Sequence, residues 1–292
     1  MKPMHVHMKK VCLGQSMFNQ KAVDQYIQKV EDSITSNLEF DKKEKVLVGV
    51  DLGTAYIVLV VLDQDFNPIA CEMEFANVIR DGLVLDYLGA VKIVRKLKEK
   101  LEERLGIELH EAAISIPPGT GDKTTKTHQY VIESAGMEVT TILDEPTAAN
   151  MVLQIDNGVV VDIGGGTTGL SVLENSQVVY TADEATGGTH LTLVLAGSYK
   201  ISIEEAEILK KDKARQQEIF PAVLPVLQKM ASIVRQHIEG RHIESIYLVG
   251  GTCCIQGIEK VFEKEIGIKT YKPANPFLVT PAGIAQSSKV RR

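Results

Sequence analysis

The chain has 292 residues, 44% hydrophobic and 24% charged, with a formal net charge of −6; it can bury a sizeable core, most naturally as two lobes. The acidic balance removes any electrostatic reason to expect nucleic acid or an anionic membrane as partner. No apolar run nears the ~20 residues of a membrane span, no secretory leader pattern opens the chain, and Cys12, Cys71, Cys253 and Cys254 show neither disulfide nor metal-ligand spacing, so a reduced cytoplasmic protein is expected.

Residues 1–10 are polar, and disorder is expected there; His5 and His7 are not read as a metal site. From Asn19 to Glu39 the apolar residues Val23, Tyr26, Ile27, Val30, Ile34 and Leu38 recur at three- and four-residue steps, which predicts an amphipathic helix that packs on the core rather than serving as a docking arm. Lys45 to Leu62 reads as a strand, a turn at Asp51 and a second strand apolar on both faces, with a third strand over Ile69 to Phe75. A helix is predicted from Leu88 to Leu105, a strand from Ala112 to Ile116, a helix ending at Ala135-Gly136, a strand from Thr140 to Leu143 and a helix to about Leu153. Val159 to Ile163 then repeats the opening pattern. Ser202 caps a helix reaching roughly Asp212, a long helix runs from about Ala222 to Glu239 with Pro221 and Pro225 at or near its first turn, and Ile246 to Val249 is a buried strand. The expected organisation is an extension over residues 1–44, a first lobe over 45–155 and a second over 156–292.

The most informative features are two glycine-flanked aspartate turns, Val48-Gly49-Val50-Asp51-Leu52-Gly53-Thr54 and Val161-Asp162-Ile163-Gly164-Gly165-Gly166-Thr167. Each joins an apolar strand to a tight turn, so that backbone amides and a hydroxyl can face a phosphate while an acid stands ready for a metal. Asp144-Glu145-Pro146-Thr147-Ala148-Ala149 precedes the second turn, and Leu248-Val249-Gly250-Gly251-Thr252 follows it. In order, these four segments resemble the actin-like ATPase superfamily, an α/β fold of two ribonuclease-H-like lobes around a nucleotide cleft. The resemblance spans roughly Lys45 to Ser288 and implies Mg²⁺ and ATP or ADP as ligands. Compared with the DnaK-type chaperones of that superfamily, the first lobe is short and no peptide-binding domain follows.

The runs Val78-Ile79-Arg80-Asp81-Gly82, Glu133-Ser134-Ala135-Gly136, Ala182-Asp183-Glu184-Ala185-Thr186-Gly187-Gly188 and His237-Ile238-Glu239-Gly240 are further similar to the EutJ family of ethanolamine-utilisation operons. This resemblance implies a small DnaK-like ATPase of the bacterial cytoplasm, associated with a microcompartment, that assists its assembly or protects or refolds ethanolamine ammonia-lyase. Ethanolamine ammonia-lyase and shell proteins are the implied partners.

Carried onto this chain, the pattern places Asp51 and Asp162 near Mg²⁺ through its retained waters, and Thr54 and Thr167 with the amides of Gly53, Gly164, Gly165 and Gly166 on the phosphates. Glu145 matches the acid expected to orient the attacking water; a helix-capping acid is the bland alternative. Glu207 and Lys210 match residues that contact ribose and adenine, or else form a solvated ion pair, and Gly250, Gly251 and Thr252 match the adenosine loop. Two departures stand out. Cys254 replaces an arginine that stacks on adenine, and the lysine aimed at the γ-phosphate has no counterpart beyond the weak candidates Lys92 and Lys123. Low affinity, slow turnover and loose base specificity are expected. Two other classes share the fold: a metabolite kinase, for which no inserted acceptor pocket is evident, and a filament-forming or adaptor protein locked by nucleotide.

Overall fold

In a computed structural model the described residues are 18–36, 38–80 and 82–289. The polar stretch over residues 1–10, with His5 and His7, and Cys12 lie outside them. Alternating or continuous apolar runs build two five-stranded sheets. The first uses β1 (Leu47–Leu52), β2 (Tyr56–Leu62), β3 (Pro68–Phe75), β6 (Glu111–Ile116) and β7 (Glu138–Asp144), in the order β3-β2-β1-β6-β7. The second uses β8 (Gly158–Ile163), β9 (Thr168–Glu174), β10 (Gln177–Glu184), β11 (Ser245–Val249) and β12 (Lys269–Tyr271), in the order β10-β9-β8-β11-β12. In each, three antiparallel strands are followed by two parallel ones, so one topology occurs twice. A small hairpin, β4 (Ile79–Arg80) with β5 (Leu83–Val84), stands beside the first sheet.

The helices follow the local signals. α2 (Tyr87–Leu105) begins where the Asp86 side chain accepts from Gly89 N and ends at Gly106, which takes the left-handed conformation at φ 65°. α3 (Asp122–Ser134) joins β6 to β7. α5 (Gly188–Tyr199) is followed by α6 (Ile203–Lys211), which opens on a reciprocal cap between Ser202 and Glu205. α7 (Gln216–Ile238) starts six residues before Ala222, so Pro221 and Pro225 lie inside the helix rather than in its first turn. Both are exposed and one turn apart, so the carbonyls they leave unpaired face water while Ile219, Val223, Leu227 and Met230 face the core. α8 (Ile258–Ile266) precedes β12.

Two helices cross between the sheets. α4 (Glu145–Leu153) leaves β7 of the first sheet and packs on β8 and β9 of the second; α9 (Val279–Ser287) leaves the second half and packs on β1, β2 and β6 of the first. Their backbones nearly touch. A Cβ on Gly283 would lie 1.8 Å from the Ala148 carbonyl oxygen, and one on Gly49 of β1 would lie 2.3 Å from Ala285 N. The small residues Ala148, Ala149, Ala282 and Ala285 complete the contact, all fully buried.

The N-terminal helix α1 (Gln20–Asp32) is shorter than its apolar pattern, because Ser33 to Ser36 turn the chain so that Leu38 N donates to Ile69 O of β3. Val23, Ile27 and Val30 are buried among Val58, Val60, Val160 and Ala285, in the core the two sheets share. At one end Gln20 Nε2 donates to Lys272 O at 3.0 Å and Ala274 N donates to Asp24 Oδ1 at 2.7 Å. At the other, Cys71 N and Arg104 Nη2 each donate to Ser33 O at 3.0 Å. The helix thus ties the two halves together from below.

Ile27→Ala is expected to cost about 3 kcal/mol in urea unfolding, since a fully buried branched side chain leaves a cavity; a helix acting only as a docking arm would leave stability unchanged. Gly283→Ala is expected to cost more than about 2 kcal/mol. Gly197→Ala, where a Cβ meets nothing within 4 Å, is the control and is expected to be neutral or stabilising by up to about 1 kcal/mol. Equal effects of the two glycine replacements would refute the close approach.

Candidate functional site

The two aspartate turns are hairpin tips, β1 to β2 and β8 to β9, and they face each other across a cleft of about 600 Å³. The sequence-predicted residues Asp51, Gly53, Thr54, Glu145, Asp162, Gly164, Gly165, Gly166, Thr167, Glu207, Lys210, Gly250, Gly251 and Thr252 all line it. The turns are built alike: Gly53 N donates to Tyr56 O and Gly164 N to Thr167 O, both at 3.0 Å. The amides of Gly53 and Gly164 therefore close their own turns and do not face a ligand, contrary to the expectation for these two. Thr54, Ala55, Gly165 and Gly166 make no backbone hydrogen bond through nitrogen among the described residues. These are the donors left for a phosphate.

A Cβ on Gly165 would sit 3.4 Å from Thr54 Cβ, so the tips stand at van der Waals distance. The segment Thr186-Gly187-Gly188 buttresses the second tip. Gly188 N donates to Gly164 O at 3.0 Å and Thr189 N to Gly165 O at 2.8 Å, so the segment supports the loop from behind. Thr252 Oγ1 donates to Gly164 O at 2.7 Å from the other side. Gly250 has φ 91°, and a Cβ there would meet Asp162 Oδ1 at 2.3 Å, so glycine is required on both conformational and steric grounds.

One end of the cleft is acidic. Asp144 caps α4, accepting from Thr147 N at 2.9 Å and Thr147 Oγ1 at 2.7 Å. The capping task thus falls to Asp144, and Glu145 is left with its carboxylate in the cleft. Burial, and then the facing Asp162, push the Asp51 carboxyl up to about 7. Burial pushes Asp162 up to about 6, against the hydrogen bond it accepts from Thr280 Oγ1 at 2.5 Å. Glu145 is held well above the usual carboxylate range by burial and by Asp162, Asp51, Asp183 and Asp144 in turn. Among the described residues no three acidic, histidine or cysteine side chains converge to hold a metal directly. Three mutually repelling, poorly hydrated carboxylates suit a divalent cation that keeps its own waters, so the residues present fit Mg²⁺.

The lysines of the cleft all come from the second half. Lys210 Nζ lies 2.6 Å from Glu207 Oε2, 2.8 Å from Thr192 Oγ1 and 3.1 Å from Gly188 O. Burial alone would raise Glu207, but Lys210 and the hydrogen bonds around it leave it below the usual range. The pair is thus a half-buried, fully engaged fixture of the cleft wall. Lys211 reaches from α6 across the mouth: its Nζ lies 3.0 Å from Glu207 Oε1, 3.3 Å from Tyr56 Oη and 4.6 Å from the centre of the Phe75 ring. Lys210, Lys211, Lys213 and Lys272 line the cleft, and none of them belongs to the first sheet's half. Lys92 and Lys123 do not line it. Cys254 is exposed in the cleft, where the stacking arginine was missed in the sequence.

Several residues of the cleft carry no local sequence signal. Thr280, on the first turn of α9, binds Asp162, and only tertiary structure brings them together over 118 residues. Glu31 and Ile34, at the end of α1, also line the cleft. His237 bridges Glu184 Oε1 and Tyr180 Oη at 2.8 Å each, and His128 bonds Thr124 O, so both are structural.

Comparison with known proteins agrees with this architecture. The family model described as type IV pilus assembly protein PilM matches residues 125–291. The chain is 46% identical over 243 residues to ethanolamine utilization protein EutJ of Escherichia coli (strain K12), covering 83% of this chain and 86% of that one. A crystal structure of EutJ from Carboxydothermus hydrogenoformans superposes with a TM-score of 0.86 at 47% identity, covering 91% of this chain and 99% of that one. The fold is shared with MreB5 of Spiroplasma citri bound to ADP, at a TM-score of 0.66 and 18% identity over 85% and 97% of the two chains. The chain belongs to the EutJ family of ethanolamine-utilisation proteins, on an actin-like ATPase fold.

Proposed function

We propose that this protein binds Mg-ATP between two lobes that divide near residues 155–156, hydrolyses it slowly, and uses lobe closure to change its hold on a protein of ethanolamine utilisation. The observation that supports this best is the carboxylate cluster of Asp51, Glu145 and Asp162 in a cleft whose facing hairpin tips leave amide donors unpaired. Asp51 and Asp162 would hold Mg²⁺ through its waters, and the ion would supply positive charge to keep these acids ionised and to neutralise charge developing on the phosphates.

The chain's own residues do the rest. Amides of Thr54, Ala55, Gly165 and Gly166 donate to phosphate oxygens, a preorganised electrostatic contribution. Glu145, free of capping duty and held by burial and the neighbouring carboxylates well above the usual carboxylate range, orients the attacking water and accepts its proton. Glu207, Lys210 and the Gly250 turn hold the nucleoside. Closure is read out through Thr280, which ties Asp162 to α9 and thus to the first sheet. As a chaperone-type protein it would act on ethanolamine ammonia-lyase or a microcompartment shell protein, and either is expected to change the turnover rate.

A nucleotide-locked adaptor is the second reading. It is favoured by one observation: Lys210 and Lys211, which line the cleft, are both held by Glu207, at 2.6 and 3.0 Å, and so bring no unpaired charge to a phosphate.

Phosphate release from Mg-ATP, measured with nucleotide binding on the same samples, separates the readings. Glu145→Ala is expected to lower turnover about 100-fold while keeping binding. Equal turnover in both proteins would remove Glu145 from the mechanism, and binding without turnover in either would select the adaptor.

The acidic end makes a separate prediction for the protein in EDTA without nucleotide. Asp51 has a folded value of about 7 against an ordinary 3.8, so its folded form binds the proton more tightly. Its contribution to stability is complete below about pH 4 and is lost as pH rises through about 7. Asp51→Asn should therefore melt several degrees higher than the wild type at pH 8, with the gain shrinking toward pH 5, and should lose the extra stabilisation that Mg-ATP gives the wild type. A variant that melts lower than the wild type at pH 8 would contradict the buried, unfavourable charge.

A further inference from the structure

Large apolar side chains stay in water on one side of the first half. Leu83 on β5, Leu85 and Leu88 at the entry to α2, and Tyr130 on α3 are 51, 59, 76 and 51% exposed. They share one surface. β5 packs on α3, the Tyr87 hydroxyl lies 3.0 Å from Tyr130 O and 2.8 Å from Ser134 Oγ, and Arg95 Nη2 donates to Ser134 O at 2.7 Å. The start of α2 is thus fastened to the end of α3.

Basic residues flank this surface in register. Arg80 pairs with Leu83 across the hairpin, Lys92 lies one helical turn beyond Leu88, and Lys126 lies one turn before Tyr130. All three are exposed and make no hydrogen bond or ion pair among the described residues. Of the acids nearby, Asp86 accepts from Gly89 N at 2.9 Å and Glu133 from Gln129 Nε2 at 2.7 Å, while Asp122, one turn before Lys126, is exposed. In a chain of net charge −6 this apolar face carries three exposed cations without an ion-pair partner among the described residues.

We propose that this face docks an acidic amphipathic segment of a partner protein, its apolar anchors against Leu83, Leu85, Leu88 and Tyr130 and its carboxylates on Arg80, Lys92 and Lys126. The surface stands independently of the nucleotide reading; only its link to nucleotide state rests on it. Gly82 in the same hairpin lines the cleft, where a Cβ would lie 2.8 Å from Pro117 Cγ. An occupant that shifts the hairpin shifts a wall of the cleft.

The probe is a labelled helical peptide with Leu at positions i, i+3, i+4 and i+7 and Glu elsewhere, against the same peptide with Lys for Glu, titrated into the full chain. The Glu peptide is expected to bind with micromolar affinity that weakens with added salt, and the Lys peptide not to bind. Leu88→Ser, at a largely solvated site whose replacement leaves folding intact, should weaken binding about tenfold, and the double reversal Lys92→Glu with Lys126→Glu at least as much. Mg-ATP binding, read on the same variants, should be unchanged, because none of these residues lines the cleft. Equal binding of both peptides, or no effect of either variant, would overturn the proposal. So would capture of anionic vesicles in place of the Glu peptide, or a dimer abolished by Leu88→Ser. Peptide binding without nucleotide binding would sink the ATPase reading and leave the docking surface standing.

Discussion

The near-contact of α4 and α9 is the constraint on which the rest of the molecule depends. With the Gly283 Cβ position 1.8 Å from the Ala148 carbonyl, the two helices cross at backbone distance, and each lies against the sheet it does not follow. A pair this close cannot absorb strain by rearranging side chains, because there are none at the contact to rearrange. Relative motion of the sheets must then be a shear of one helix past the other. Thr280 extends that geometry into the chemistry: the hydroxyl bonded to Asp162 sits on α9, so any movement of the helix is felt at a carboxylate of the cleft.

That carboxylate belongs to a set arranged against its own stability. Burial raises Asp51, Glu145 and Asp162 alike, Asp162 adds to the rise of Asp51 and both add to that of Glu145, while Lys210 and Lys211 are taken up by Glu207. Such a cluster of acids is unfavourable without a ligand and becomes favourable with one that brings positive charge to it. It is the pattern expected where local stability has been exchanged for binding. α1 fits the same picture. By holding Lys272 O and Ala274 N at one end and meeting Cys71 N at the other, it limits how far the halves can part when the charge cluster is unrelieved.

What could be read in the sequence is what is local. A buried strand running into an aspartate and a glycine turn announces itself within seven residues, and both tips, Glu145 and the Gly250 turn are legible for that reason. Local ambiguity blurred the detail: either Asp144 or Glu145 could cap α4, and only the geometry at Thr147 assigns the task to Asp144. Gly53 and Gly164 look like phosphate donors because glycine permits close approach, yet their amides close the turns that create the approach. Pro221 and Pro225 read as first-turn residues, but their shared solvent-facing side lets α7 run through them. Glu31, Ile34 and Thr280 reach the cleft from the chain's two ends, a relation no local pattern encodes.

The duplicated topology makes the differences between the halves informative. The two sheets have the same strand order, so a ligand between them meets equivalent hairpin tips, which is why the phosphate-facing turns look alike. The additions break that equivalence. After its third strand the second half inserts α5 and α6, which supply the bonded group of Thr192, Glu207 and Lys210 at one wall of the cleft. At the corresponding place the first half has only the hairpin of β4 and β5, too small to build a second wall and solvated on its outer side. That hairpin touches the cleft through Gly82 and presents Leu83 and Arg80 to solvent. Where the insertion of one half walls the cleft, that of the other leaves an apolar face edged by cations that no part of the described chain covers.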